Sequence, residues 1–311
     1  MSAAHEGSER PLSEAIETPS GKNTGTENFP VGSWLLPARL RPHVATFYAF
    51  ARAADDIADN GDLTPDDKVA RLAAFDAVLT GDAPEDPALE KAVRMRQSLA
   101  ETGVTNRHCR DVLIAFTEDA TKTRYANWSE LARYCSYSAS PVGRYVLDLH
   151  GEPPEIYVVS DPLCDALQVI NHLQDCADDY RVLDRVYLPQ DWMADAGVTV
   201  RDLDAPFAKP GLRRVLDQCL DLVEEWLDTA SLLPAGCRDV RLGMETAAIL
   251  SLAKRLTAEL RRRDPLAEPV KLGKPSFLMT AGTGAAGLLF RRLMRRPQRL
   301  VGPAPNPGEP K

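Results

Sequence analysis

The sequence predicts an all-α protein. Three observations carry this. Apolar residues recur at helical spacing in one segment after another, between capping residues and breakers. No segment shows several strands of period-two alternation, and aromatic residues are only 6%. The joints hold proline and glycine, as at Pro153-Pro154, Leu233-Pro234-Ala235-Gly236 and Asp264-Pro265.

The elements follow in order. Pro42 suits the first turn of a helix running to about Asp59. Thr64-Pro65-Asp66-Asp67 supplies an N-cap, a proline at N1 and an acid at N3. It starts the helix carrying Val69, Leu72, Ala73, Phe75 and Leu79, and Gly81 stops it. A loop with Pro84 and Pro87 leads to a helix over about 88–101. The next helix is expected over 107–124, with Val112, Leu113, Phe116 and Ala120 on one stripe. Asn127-Trp128-Ser129-Glu130 repeats the cap and starts a helix carrying Leu131, Tyr134, Tyr137 and Val142. Asp161-Pro162 opens a long helix to about Tyr180, and further helices are expected over 207–231, 238–263 and 275–293. There is no internal repeat and no shift of composition inside 27–295, so one domain is expected there. The polar stretch 1–26 reads as a disordered tail rather than a signal peptide, and 296–311 as a flexible one.

The 311 residues, 44% hydrophobic, are enough for a large core. Lys and Arg number 37 against 45 Asp and Glu, a net charge of −8. That balance disfavours nucleic acid, whose phosphates call for the opposite excess. Six cysteines form no CxxC pair and read as reduced, mostly buried thiols, which suits a cytoplasmic protein. The uncharged stretch Phe277–Phe290 is too short to span a bilayer and runs into Arg291, Arg292, Arg295 and Arg296. Two readings stand for it. One is a membrane-surface helix giving peripheral membrane contact; the other is a last core helix whose basic end suits the helix dipole.

Two acidic motifs point to chemistry. In Arg52-Ala53-Ala54-Asp55-Asp56-Ile57-Ala58-Asp59, Asp55 and Asp59 are four apart and share a helix face. The preceding Phe47, Tyr48, Ala49, Phe50 and Ala51 make that helix apolar on most sides, hence buried. In the second motif, Gln168, Asn171, Asp175 and Asp179 form a polar stripe on a helix otherwise built from residues such as Leu163, Leu167 and Ile170. Either motif alone also reads as an acidic helix end or a solvated face. Two such stripes facing one another would suit Mg²⁺, which takes oxygen ligands and bridges carboxylates to substrate phosphates.

At these residues the chain resembles the squalene/phytoene synthase family from Glu27 to about Pro275. The matching features are Arg52 with Asp55–Asp59, the block from Phe116 and Asp119 through Arg124-Tyr125 and Trp128 to Tyr134-Cys135, and Asn171–Asp179 followed by Arg185-Val186-Tyr187-Leu188-Pro189. Within the family it looks most like the branch of bacterial hopanoid biosynthesis that makes hydroxysqualene. The local matches are Glu27–Ser33 before Leu35-Leu36-Pro37, Ser138–Arg144, and Gln174, which stands where other branches carry an arginine facing the diphosphate. Lys271 falls where other branches carry a tyrosine near the substrate.

The resemblance implies an isoprenoid synthase bundle, all-α, with a central apolar cavity. It implies conversion of presqualene diphosphate and water to hydroxysqualene and diphosphate, without NADPH. It carries Asp55, Asp59, Asp175 and Asp179 over as ligands of Mg²⁺. Asn28, Arg52, Arg185 and Tyr187 become substrate-binding residues, and Tyr134, Asn171 and Gln168 catalytic ones, with Tyr134 or Asn171 orienting the captured water. Tyr134 and Tyr187 also read as core aromatics with satisfied hydroxyls. Arg144 reads as an exposed arginine, and His172 as a core histidine. His43 and Trp128 are assigned to structure. The implied partners are an isoprenoid diphosphate and neighbouring enzymes of the squalene pathway that hand it over. Two rival functions remain: condensation of two prenyl diphosphates, as in presqualene diphosphate, dehydrosqualene or phytoene synthases, and an assembly factor without catalysis.

Overall fold

The computed structural model describes residues 35–84 and 86–294; Asn28 and both expected tails lie outside them. Among the described residues the structure is helical without strands, apart from one isolated bridge between Arg124 and Val186.

The first helices form as their caps dictate. α1 is Arg41–Asp59 and α2 is Pro65–Thr80. Thr64 accepts a hydrogen bond from the Asp67 amide at 3.2 Å, and Gly81 closes α2 with φ +84°, a left-handed conformation open to glycine. α3 (Glu90–Thr102) and α4 (Arg107–Asp119) pack with α2 around α1. α5 is Trp128–Ser138, opened by Asn127, whose side chain accepts from the Glu130 amide at 3.0 Å. His43 bonds Ser98 at 2.8 Å, and Trp128 stacks on Trp192 and Trp226, so both are structural as expected.

Three expected helices end or begin elsewhere. The 107–124 helix stops at Asp119, because its last residues turn to bond another segment: Val186 N–H donates to the Thr123 carbonyl at 2.9 Å and Gln190 N–H to the Tyr125 carbonyl at 3.0 Å. The helix from Trp128 breaks at Ala139 and restarts as α6 (Ser140–Leu149), since Pro141 lacks an amide and disfavours helical geometry just before it. The long helix starts at Tyr157 rather than Asp161, so Pro162 lies inside α7 (Tyr157–Gln174) at the loss of one helical bond. It ends at Asp175, and α8 (Cys176–Leu183) follows at once. The joint stays bonded on both sides, Asp175 N–H to the Asn171 carbonyl at 3.0 Å and Asp179 N–H to the Asp175 carbonyl at 2.8 Å.

Short α9 (Gln190–Asp195) leads to α10 (Pro210–Ala230), α11 (Leu233–Gly236), α12 (Val240–Arg262) and α13 (Lys274–Met294). α7 is the central helix, packed on α5, α6, α10 and α12, and α13 lies along the outside of α12. Gly284 permits that approach: a Cβ there would sit 2.6 Å from the Ala247 carbonyl oxygen. Five of the six cysteines are buried, Cys164 is half-buried, and all are free thiols. No described helix is long and apolar enough to cross a membrane.

Candidate active site

A cavity of about 540 Å³ runs through the bundle between α1, α4, α5, α6, α7 and α12. Most of its wall is apolar, from residues such as Phe47, Val112, Phe116, Leu163, Leu167 and Ile249. One end is not. The C-terminal half of α1 contributes Arg52, Asp55 and Asp59, the end of α4 contributes Asp119, and the α7–α8 joint contributes Asn171, Asp175 and Asp179. Arg185 and Tyr187 enter from the segment after α8. That segment is held there by the Val186–Thr123 bond and by Arg124, which pairs with Asp184.

Arg52 bridges Asp55 at 3.0 Å and Asp56 at 2.8 Å, the second a buried carboxylate beside the cavity. Arg185 is buried and holds Asp59 at 2.9 Å, the Asp119 carbonyl at 3.1 Å and the Tyr187 hydroxyl at 3.3 Å. Asp119 accepts the Tyr134 hydroxyl at 2.7 Å. Burial pushes the Asp119 carboxyl up to about 7, against the pull of Arg185 and Tyr134. Asp55 is also pushed up to about 7, by burial and then by Asp59, with Arg52 opposing. The Asp55 side chain is 29% exposed and lines the cavity. His172 stacks on Tyr187 with centroids 3.4 Å apart and contacts Gln168 at 3.2 Å. Burial and then the Arg185 charge push it down to about 3, so it is neutral at ordinary pH.

The residues singled out in sequence thus gather around one cavity: Asp55, Asp59, Asp175, Asp179, Arg52, Arg185, Tyr187, Tyr134, Gln168 and Asn171 all line it. Tyr134 and Tyr187 are both core aromatics with bonded hydroxyls and cavity residues. One expectation is corrected. Arg144 is not an exposed arginine: it is half-buried and forms a two-pronged pair with Asp161, at 2.9 and 2.6 Å. Gln174 is buried and donates to the Val270 carbonyl outside the cavity. Sequence reasoning passed over Asp119 as a site residue, although it lies in the matched central block. It also passed over Glu245, a buried carboxylate on the α12 side of the cavity, for which no local spacing gives a signal.

The donor set at the acidic end is carboxylate oxygen, which suits a hard divalent cation. Among the described residues no three acidic, cysteine or histidine side chains converge tightly enough to hold an ion by themselves. A cation there would complete its shell with water and substrate oxygen. Lowering the cost of ionising Asp55 beside Asp59 is a second reason these residues fit one.

Residues 22–275 match the squalene/phytoene synthase family. The chain is 44% identical to the hydroxysqualene synthase of Rhodopseudomonas palustris, over 88% of this chain and 92% of that one. It is also 44% identical to the hydroxysqualene synthase of Zymomonas mobilis, over 87% and 91%. Among solved structures it is similar to the squalene synthase HpnC of Alicyclobacillus acidocaldarius, at 31% identity and a TM-score of 0.65, covering 75% of this chain and 87% of that one.

Proposed function

The chain belongs to the squalene/phytoene synthase family, acting on isoprenoid diphosphates, and on that premise we propose that it converts presqualene diphosphate and water to hydroxysqualene and diphosphate in the cytoplasm. The observation that carries this is the two-ended cavity, acidic at one end and apolar along the rest. The names of the two bacterial relatives at 44% identity agree with it.

Asp55, Asp59, Asp175 and Asp179 would hold Mg²⁺, which when bound supplies a Lewis acid for the charge of the departing diphosphate. Arg52 and Arg185 border the same end and would pair with diphosphate oxygens, with Asn28 as a further contact. The apolar wall excludes bulk water, so the carbocation left behind meets little competing nucleophile. Tyr134, Tyr187 and neutral His172 line the cavity and would stabilise a cation without adding positive charge. Water is then positioned by Tyr134 or Asn171, with Gln168 beside them. Because the Tyr134 proton is committed to Asp119, its oxygen is left as an acceptor for a water O–H. Attack forms the new C–O bond, one water proton is lost, and no hydride moves, so no NADPH is consumed.

The test incubates pure protein and Mg²⁺ with presqualene diphosphate or farnesyl diphosphate, with products read by gas chromatography and mass spectrometry. Hydroxysqualene formed from presqualene diphosphate, with farnesyl diphosphate left intact, supports the proposal. Efficient condensation of farnesyl diphosphate to presqualene diphosphate overturns it in favour of a prenyl-condensing synthase, and no turnover of either favours an assembly factor.

A further inference from the structure

Helix α13 is apolar on two sides, and only one is covered. The inner side packs Ala285 and Leu288 against α12, with Gly284 in close contact with Ala247 and Ser251. On the outer side Leu278, Met279, Phe290, Leu293 and Met294 are 63–74% exposed. Residues 278, 282, 286, 289 and 293 form one row at helical spacing, and 279, 283, 286, 290 and 294 the next. Neither row contains a charge. The stripe runs about 24 Å along the helix at 1.5 Å per residue. A contiguous exposed apolar face of this size marks an interaction surface.

Charge identifies what it meets. From Pro269 to Gly308 the sequence has Lys271, Lys274, Arg291, Arg292, Arg295, Arg296 and Arg299 and not one acid, in a chain whose net charge is −8. An apolar stripe flanked by cations, inside an otherwise acidic protein, complements an anionic lipid surface. Arg292 ties this helix to the cavity: it donates to the Pro234 carbonyl at 2.9 Å and the Cys237 carbonyl at 2.6 Å, holding α13 on α11, whose Leu233 lines the apolar part of the cavity.

We propose that the outer face of α13 lies in the interfacial layer of an anionic lipid bilayer, placing the apolar side of the cavity toward the membrane. The stripe enters the headgroup–acyl boundary and the cations meet lipid phosphates, with the acidic bulk of the protein held away. This rests on the helix and not on the reaction assigned above, so binding is measured without substrate.

The full chain is sedimented with vesicles of phosphatidylglycerol and phosphatidylcholine, and with phosphatidylcholine alone. It is expected to bind the first, to be released by high salt, and to bind the second at least tenfold more weakly. Phe290→Asp with Leu293→Asp is expected to abolish binding. Arg291→Glu should weaken it about fivefold or more, from roughly 1 kcal/mol per basic residue at an anionic surface. These side chains are exposed, so unchanged circular dichroism and melting temperature establish that the variants fold. Phe207→Asp, at an exposed apolar residue outside α13, should bind as the wild type does. Equal binding to both vesicle types, or no effect of the double substitution, overturns the proposal. So does a dimer in sedimentation analysis that the double substitution dissolves, because the face then belongs to a second copy.

Discussion

Replacing Tyr134 by Phe removes one oxygen and leaves the ring among Tyr125, Tyr187 and His172. The hydroxyl is the donor to Asp119 Oδ2 at 2.7 Å, while Asp119 Oδ1 meets Arg185 Nε only at 3.7 Å. The loss therefore falls on a buried carboxyl with little else to turn to. Its size depends on ionisation. Burial has raised the Asp119 carboxyl to about 7, above its unfolded value, so the folded state holds the proton at pH 6 and has given it up by pH 8.5. A lost neutral hydrogen bond costs about 0.5–1.5 kcal/mol, and one to a charged group about 1.5–3 kcal/mol. The variant should melt about 1–5 °C below the wild type at pH 6 and about 3–9 °C below it at pH 8.5, at roughly 2–3 °C per kcal/mol for a chain of this length. Melting curves of both proteins at the two pH values are the assay. Alongside them, diphosphate release and hydroxysqualene yield from presqualene diphosphate are compared. If the Tyr134 oxygen positions water, release continues while the hydroxylated fraction of product falls. An equal melting difference at both pH values refutes the coupling to Asp119, and an unchanged product ratio removes Tyr134 from water capture.

Asp55→Ala or Asp175→Ala, each removing one carboxylate from the acidic end, should lower diphosphate release by at least about a hundredfold at saturating Mg²⁺ with the helical circular dichroism intact; wild-type turnover in either would defeat the assignment. Asp165, outside the cavity, accepts the Ser140 hydroxyl at 2.7 Å and is pushed up to about 7 by burial. Ionising it thus costs the folded state nothing near pH 4 and progressively more as pH rises to 7, so Asp165→Asn should gain in melting temperature over wild type between pH 5 and 8; a flat difference would show that the carboxyl is not perturbed. Gly284→Ala places a methyl against the Ala247 carbonyl and Ser251, and overpacking of this kind costs about 1–3 kcal/mol. The measurement is chemical denaturation, and unchanged stability would mean that α13 shifts on α12 without resistance.

Much of the fold was legible because helix signals are local. Thr64, Gly81 and Asn127 act within four residues of themselves, and their caps form where the sequence puts them. The breaks at Ala139 and Asp175 were harder to see, since apolar periodicity continues across both. The end of α4 was hidden for another reason: the Thr123 and Tyr125 carbonyls bond the segment from Val186 to Gln190, more than sixty residues away.

For the site the division is similar. Spacing four apart in Asp55 and Asp59, and the polar stripe Gln168, Asn171, Asp175 and Asp179, follow from helical geometry and marked the cavity lining in advance. The partners of those residues did not follow. That Arg185 pairs with Asp59, 126 residues earlier, that Tyr134 is committed to Asp119, and that Gln174 turns to Val270 are all outcomes of how α1, α4, α7 and the segment after α8 pack together. The sequence by itself determined an all-helical chain, its caps and the faces of its acidic helices, because those depend on neighbours within a turn or two. Only the tertiary structure decided which charges meet, which carboxyls lose their water, and which apolar face of α13 stays uncovered, because burial and long-range pairing exist only once the helices are assembled.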